Sequence, residues 1–468
     1  MGLFQNHMMA AAASAGVTPA YTIDNSCRFN LPDSPYLYDT LGTATDANRW
    51  TYSTWFKRSK LGISYPVIFS AGSGGGDTSR GDITIYTDNR LSFSGGSTIW
   101  RVTTQVFTDV ATWQHLIVAV NTDESGNDMI KIYLNGSQIT AFDTTNNPSS
   151  AANTGINTAV AHNVGRQSHG GDGWWDGYMS EINFIDGQQL GPSSFGETNS
   201  DDVWVPIEFS GSYGNNGFFL DFESSGDLGN DVSGNNNDFT SSGLAATDQM
   251  IDTPTSNKPV LNTKTDTAVG HLSAASITEC GLTITMTASS LSTRAPATLK
   301  VSSGKWYWEA KYTGNASGQG YGHMGIWDSD TALPTTTIGS GAAGANEWLF
   351  GDGGLKNHDN TSSDTGLGNW AVNNIIQICI DLDANKIWFG FQNTFQGNPA
   401  AGSGESFSGV GDNIVPVIYG YGGGSGQGNW GPINYGNQAF TYTPPTGFEA
   451  IASDNSQDVT VSTAPTPT

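Results

Sequence analysis

Residues 112–142, TWQHLIVAVNTDESGNDMIKIYLNGSQITAF, leave the backbone little choice. Trp113–Val120 is a short run rich in apolar residues and bounded by turn formers. In the return segment Ile130, Ile132 and Leu134 fall on one face and Met129, Lys131 and Tyr133 on the other. That period of two puts one face of a strand in a core. The connector, residues 121–128, is too polar to bury and is rich in turn residues. Asn135-Gly136 follows, and both residues tolerate positive φ, so a type I′ turn is expected. The stretch reads as a tight β-meander.

The rest of the chain repeats this design. Sixty glycines, 14 Trp and 21 Phe among 468 residues, with 13% charged residues, describe many short strands with turns between them. Beyond the N-terminus no window carries convincing 3.6-residue spacing. The fold class expected is all-β: two antiparallel, jelly-roll-like sandwiches joined by a Gly/Asn/Pro-rich linker, with a short N-terminal anchor peptide. Residues 1–20 form the anchor and 21–245 the first sandwich with a C-terminal extension that includes Phe218–Phe222 as a strand. Residues 246–264, stiffened by Pro254 and Pro259, form the linker, 265–452 the second sandwich and 453–468 a flexible tail. Trp50–Phe56 alternates aromatic and small polar residues, as a strand with one buried face should. In the second sandwich Ile376, Ile378, Ile380 and Leu382 alternate into an Asp/Asn turn and return through Ile387–Phe391.

Charge and cysteine content exclude whole classes of function. A net charge of −25 argues against nucleic acid, which needs a basic footprint. No apolar stretch is long enough to span a bilayer, so no membrane insertion is expected. Cys27, Cys280 and Cys379 are odd in number and lack metal-ligand spacing, which fits folding in a reducing cytoplasm. The leader MGLFQNHMMAAAASAG lacks the positive start of a signal peptide, and Asn6 stands where myristoylation needs Ser or Thr. It reads as a retained peptide, with Leu3, Phe4, His7 and Met8 as the residues that dock on a partner.

Three resemblances follow from motifs. Trp113-x-His115-Leu116-Ile117-Val118, Ile132-Tyr133-Leu134-Asn135-Gly136 and Trp175-x-Gly177-x-x-x-Glu181 resemble the concanavalin A-like/laminin-G jelly roll over about residues 25–195. Gly304-Lys305-Trp306-Tyr307-Trp308-Glu309, Gly325-Ile326-Trp327, Asp381-Leu382-Asp383 with Ile387–Gly390, and Val415–Ile418 resemble a SPRY (B30.2) sandwich over about residues 265–450. The leader Leu3–His7, Glu181–Gln188, and Val205-Pro206 with Gly211–Phe218 are similar to virion proteins of tailed, especially marine, phages. This resemblance implies a homo-oligomeric component of the virion surface, on head or tail, made in the host cytoplasm. Its implied partners are other virion proteins, through the N-terminal peptide, and host-surface glycans.

Chemistry is sparse. Hydrolases of the concanavalin A-like fold carry closely spaced acids on one strand, where they serve as acid and nucleophile. Glu181 and Glu309 stand alone, so no catalytic residue is assigned and no enzyme is expected. His115 reads as structural, and His162 and His169 flank a loop. No cofactor is required. Calcium is open, with Asp123 and Asp128 as leading ligands and Asp82 and Asp172 as others, because related jelly rolls hold Ca²⁺ through rim carboxylates. Sugar rings stack on exposed aromatics while Asp or Asn fixes their hydroxyls. In Gly170–Gly177 (GGDGWWDG) adjacent side chains point to opposite faces, so Trp175 belongs to the core and Trp174 to the surface. Trp174, Asp172, Tyr421 and Trp430 are the candidate ligand contacts. The expected function is a non-enzymatic virion surface protein that contacts glycans. A dedicated lectin-like module and a polysaccharide-degrading enzyme are the alternatives.

Overall fold

The computed structural model describes residues 21–72, 74, 80–96, 98–151, 154–264, 275–287, 291–314, 321–333, 344–422, 427–454 and 459–461. The anchor residues Leu3, Phe4, His7 and Met8 lie outside this set. Strands predominate, and among the described residues no helix reaches seven residues, which makes the fold all-β. The described residues divide into two compact units at Ser256/Asn257.

The first unit is two antiparallel sheets of eight strands face to face. The opening meander forms one side of the first sheet. Gln114–Asn121 pairs with Ile130–Leu134, which turns through Asn135-Gly136 into Ser137–Ile139. Asn135 and Gly136 have φ of 47° and 77°, the paired left-handed conformation of a type I′ turn. Gly136 also meets the Trp204 ring so closely that a Cβ would lie 2.4 Å from it. Arg49–Arg58, Gly177–Asp186, Ser26–Phe29 and Gln249–Met250 continue the sheet, and Phe218–Leu220 pairs with Gly177–Asp186. Ile130 and Ile132 face the core as the alternation requires, but Met129 joins them, because residues 126–129 form a short 3₁₀ turn that swings it inward.

The second sheet runs Phe142–Thr145, Thr98–Val106, Arg90–Gly95, Gly81–Ile85, Val67–Ala71, Ala161–Val164, Tyr36–Thr40, Thr240–Ser242. Ile83, Ile85, Leu91 and Phe93 point into the core between the sheets. Their neighbours Asp82, Thr84 and Ser94 line the opposite face.

One-sided burial of Arg49–Arg58 does not hold. The whole strand beyond Arg49 is buried, because residues 190–213 strap across the outer face of the first sheet. Under the strap His115 lies between the Trp55 and Trp204 rings, 4.7 and 6.0 Å away. Trp204 Nε1–H donates to His115 Nδ1 (3.0 Å), which leaves Nε2–H to donate to Ser53 Oγ (2.8 Å). Burial pushes the imidazole down to about 3, so it stays neutral and structural.

Residues 246–264 do not run as a free connector. Arg28 donates twice to Asp248, Gln249–Met250 completes the first sheet, and the Lys57 ammonium meets Asp252 at 2.9 Å with both side chains fully buried. Beyond the boundary Val260 and Leu261 are core residues of the second unit, and Leu261 bridges to Ala297. The apolar residues Met250, Val260 and Leu261 explain this: an extended Pro-bearing segment that carries them is held down by burial.

The second unit is also a sandwich, of nine- and eight-stranded sheets. The expected hairpin is present as Ile375–Asp381 paired with Lys386–Phe391, with Ile376, Ile378 and Ile380 in the core. A buried ion pair, Arg294 with Glu347 at 2.8 Å, ties Leu291–Pro296 to Glu347–Gly351. Within the tail, Val459–Val461 pairs with Leu299–Val301, so part of it is a strap.

Candidate functional site

A groove of about 830 Å³ lies on the outer face of the second sheet of the first unit. That falls within the roughly 300–1,000 Å³ of typical small-ligand sites. Its floor is Asp82, Thr84 and Ser94, the polar half of the strand alternation. One wall is the loop Lys60–Tyr65 and another is Gln167–Trp174. Arg80, Gly96 and Ile99 close a third side.

The loop Gln167–Trp174 is tied across its base, where Gln167 N–H donates to the Asp172 carbonyl at 3.0 Å. Gly173 then lies against the opposite wall. Its carbonyl accepts from Val67 N–H (2.8 Å), its φ is +70°, and a Cβ there would meet the Tyr65 carbonyl at 2.8 Å. Only glycine fits, and the consequence is that Asp172 and Trp174 are delivered into the groove on either side of it. Trp174 is half-buried and Trp175 is 1% exposed, packed edge-on to Phe56 in the core. The Trp174 ring is braced by the Arg166 guanidinium at 4.6 Å and by the edge of Tyr36, while Arg166 also covers Tyr36 at 4.5 Å. This stack holds the indole in one orientation. Across the groove Tyr65 is 55% exposed and packs edge-on to Tyr86 at 5.4 Å. Two aromatic surfaces and a polar floor thus share one concavity.

The floor residue Asp82 accepts from His169 Nε2–H at both carboxylate oxygens, 3.2 and 3.0 Å. The pair was not legible in the sequence, where 87 residues separate the partners. Asp172 is exposed at the rim.

The other candidates are placed differently. Trp430 is not a ligand contact. It is fully buried in the core of the second unit, edge-on to Tyr312 and Trp370, with Nε1–H donating to the Tyr419 carbonyl at 3.1 Å. It opens the strand Trp430–Asn434 with its ring inward. Tyr421 is half-buried in a parallel stack on Tyr321, 5.5 Å between centroids. Asp123 and Asp128 serve as ion-pair partners, of Arg49 at 3.3 Å and Lys131 at 3.2 Å. Among the described residues no three His, Cys, Asp or Glu side chains converge as a metal site would need. His162 is buried in the strand Ala161–Val164 and pushed down to about 4 by burial.

Two carboxylates outside the groove carry unusual environments. Asp186 accepts from the backbone N–H groups of Thr45, Asp46 and Asn216 and from Asn157 Nδ2. Burial favours the protonated acid, but these donors more than offset it, so the carboxyl titrates below its ordinary range. Glu181 is the opposite case. It sits in a bulge of Gly177–Asp186 with φ of +51°, and Tyr21 O–H donates to its Oε2 at 2.9 Å. Burial, reinforced by Asp221, Glu208 and Glu223, pushes it up to about 8. A carboxyl raised in the folded state binds a proton that the unfolded chain has released, so its contribution to stability is complete below about 4.5 and falls as pH rises through about 8. Glu181→Gln, which imitates the neutral acid, is expected to flatten this slope. The variant should be more stable than the parent at pH 9, by on the order of 3 kcal/mol, and similar at pH 5, as read from urea unfolding midpoints.

The family model described as "Concanavalin A-like lectin/glucanases superfamily" matches residues 33–190, which include the lining residues of the groove other than Leu31. The first unit has a concanavalin A-like, laminin G-type fold. Among solved structures, the chain is similar to the heptameric SAP-like pentraxin of Limulus polyphemus, at 18% identity over 40% of this chain and 94% of that one, with a TM-score of 0.29. It is also similar to the SPRY domain of human HERC1, at 18% identity over 32% of this chain and 87% of that one, with a TM-score of 0.26. No curated protein matches the chain.

Proposed function

We propose that this chain is a non-enzymatic glycan-binding protein displayed on a phage particle, with the groove of the first unit as its sugar site. The observation that carries the sugar reading is the braced indole of Trp174 beside the rim carboxylate of Asp172, opposite Tyr65. A pyranose has an apolar face that stacks on an aromatic ring and equatorial hydroxyls that donate to carboxylates. The superfamily match at residues 33–190 supports the same reading. A binding role rather than hydrolysis is favoured because Asp82 directs both oxygens to His169, which leaves Asp172 without a partner acid ready to work on the same bond. The full chain on a glycan array should retain a defined set of oligosaccharides and release them unchanged. Cleavage that disappears in Asp172→Asn would make the groove a hydrolase site instead.

The particle assignment rests on the resemblance of Leu3–His7, Glu181–Gln188 and Gly211–Phe218 to tailed-phage virion proteins. In this reading the N-terminal peptide docks on a capsid or tail protein, and the two sandwiches project outward. Deleting residues 1–20 should abolish incorporation into particles while glycan binding persists. Normal incorporation of the truncated chain would remove the anchor from the account.

A further inference from the structure

The chain carries 18 Lys and Arg against 43 Asp and Glu, and many of these cations are held by a carboxylate. Arg28, Lys57 and Arg294 are held in buried pairs, and Arg49, Arg90 and Lys131 in surface pairs. Lys60 and Arg80 line the groove, and among the described residues neither has such a partner. Arg80 is nevertheless fixed. Its Nε–H donates to the Gly96 carbonyl at 2.6 Å, and Gly96 N–H donates back to the Arg80 carbonyl at 2.7 Å. That double tie holds the guanidinium at the groove wall, and among the described residues its terminal nitrogens meet no carboxylate. Lys60 is exposed at the mouth. The floor acid facing them, Asp82, is occupied by His169.

We propose that the groove selects acidic sugars: the ligand is an oligosaccharide bearing a carboxylate, which Arg80 takes as a charge-assisted pair with Lys60 supporting it from the mouth. This rests on the sugar reading above. A planar guanidinium matches a carboxylate in two parallel hydrogen bonds, which a neutral sugar cannot supply. The overall charge of −25 does not prevent it, because at physiological salt charges more than about 8 Å away are largely screened and the nearest groups decide. Trp174 and Asp172 then hold the ring and its hydroxyls, while the two cations read the substituent.

The test uses the full-length chain and a panel of uronic-acid oligosaccharides, each paired with its methyl ester, which removes the charge and keeps the backbone. At least one acid should bind about tenfold or more tighter than its ester. Arg80→Gln and Lys60→Gln should each reduce that difference, Arg80→Lys should restore part of it, and 0.5 M salt should shrink it. Acid and ester bound equally, or a preference unchanged in both Gln variants, would overturn acid selection and leave the sugar reading standing. If no member of the panel binds in either form, and the array retains no neutral sugar, both fall. Binding that survives Trp174→Ala unchanged places the ligand outside the groove and also overturns both.

Discussion

Lys57→Met should destabilise the first unit by about 3–5 kcal/mol, the cost of leaving a buried charge without its partner. Lys57 and Asp252 are both fully buried, with Nζ 2.9 Å from Oδ2, and Trp113 Nε1–H donates to the second carboxylate oxygen at 3.0 Å. Burial lowers the Lys57 ammonium from its ordinary value despite the attraction of Asp252, so desolvation is the larger influence. Removing the lysine leaves the carboxylate in a medium that cannot solvate it. The pair Lys57→Met/Asp252→Leu should recover a large part of the loss, since it removes both charges together. Thermal and urea unfolding of the three variants measures this. A single variant as stable as the parent would mean that residues 246–252 are not held on the first unit.

Trp174→Ala should weaken glycan binding about thirtyfold, corresponding to roughly 2 kcal/mol of lost aromatic contact, with little change in stability. The ring is half-buried, and its supports Arg166 and Tyr36 remain in place. The adjacent Trp175→Ala should do the reverse in kind. It opens a cavity in the core next to Phe56 and costs about 3–5 kcal/mol of stability. Two neighbouring tryptophans therefore separate binding from folding. Calorimetric titration with the sugar retained on the array, beside melting curves, distinguishes them. Equal loss of stability in both variants would contradict the surface role of Trp174.

The meander was legible because its signals are local. Two positive-φ residues at Asn135-Gly136 and a period of two in Ile130–Leu134 need no knowledge of the rest of the chain. The same holds for Ile376, Ile378 and Ile380, and for the opposite faces of Trp174 and Trp175. The strap over Thr51, Ser53 and His115 was not legible. Small hydroxyl residues suit a solvent face and an aromatic-capped face equally, and only the course of residues 190–213 decides between them. The groove itself draws on Leu31, Lys60–Val67, Arg80–Tyr86, Ser94, Gly96, Ile99 and Gln167–Trp174, which meet only through sheet order. Trp174 and Asp172 could be picked out by residue type, but Arg80, Asp82 and His169 become a set only in three dimensions. Residue type alone does not tell an exposed Trp430 from a buried one; here it opens a strand whose first ring completes a core.

The central claim is that the outer face of the second sheet is where a sugar sits. A crystal structure of the full chain with the best-binding acidic oligosaccharide tests it most directly. The account predicts a sugar ring on Trp174, hydroxyls at Asp172 and the carboxylate at Arg80. A ligand bound in the second unit, or on the strap side of the first sheet, would contradict it.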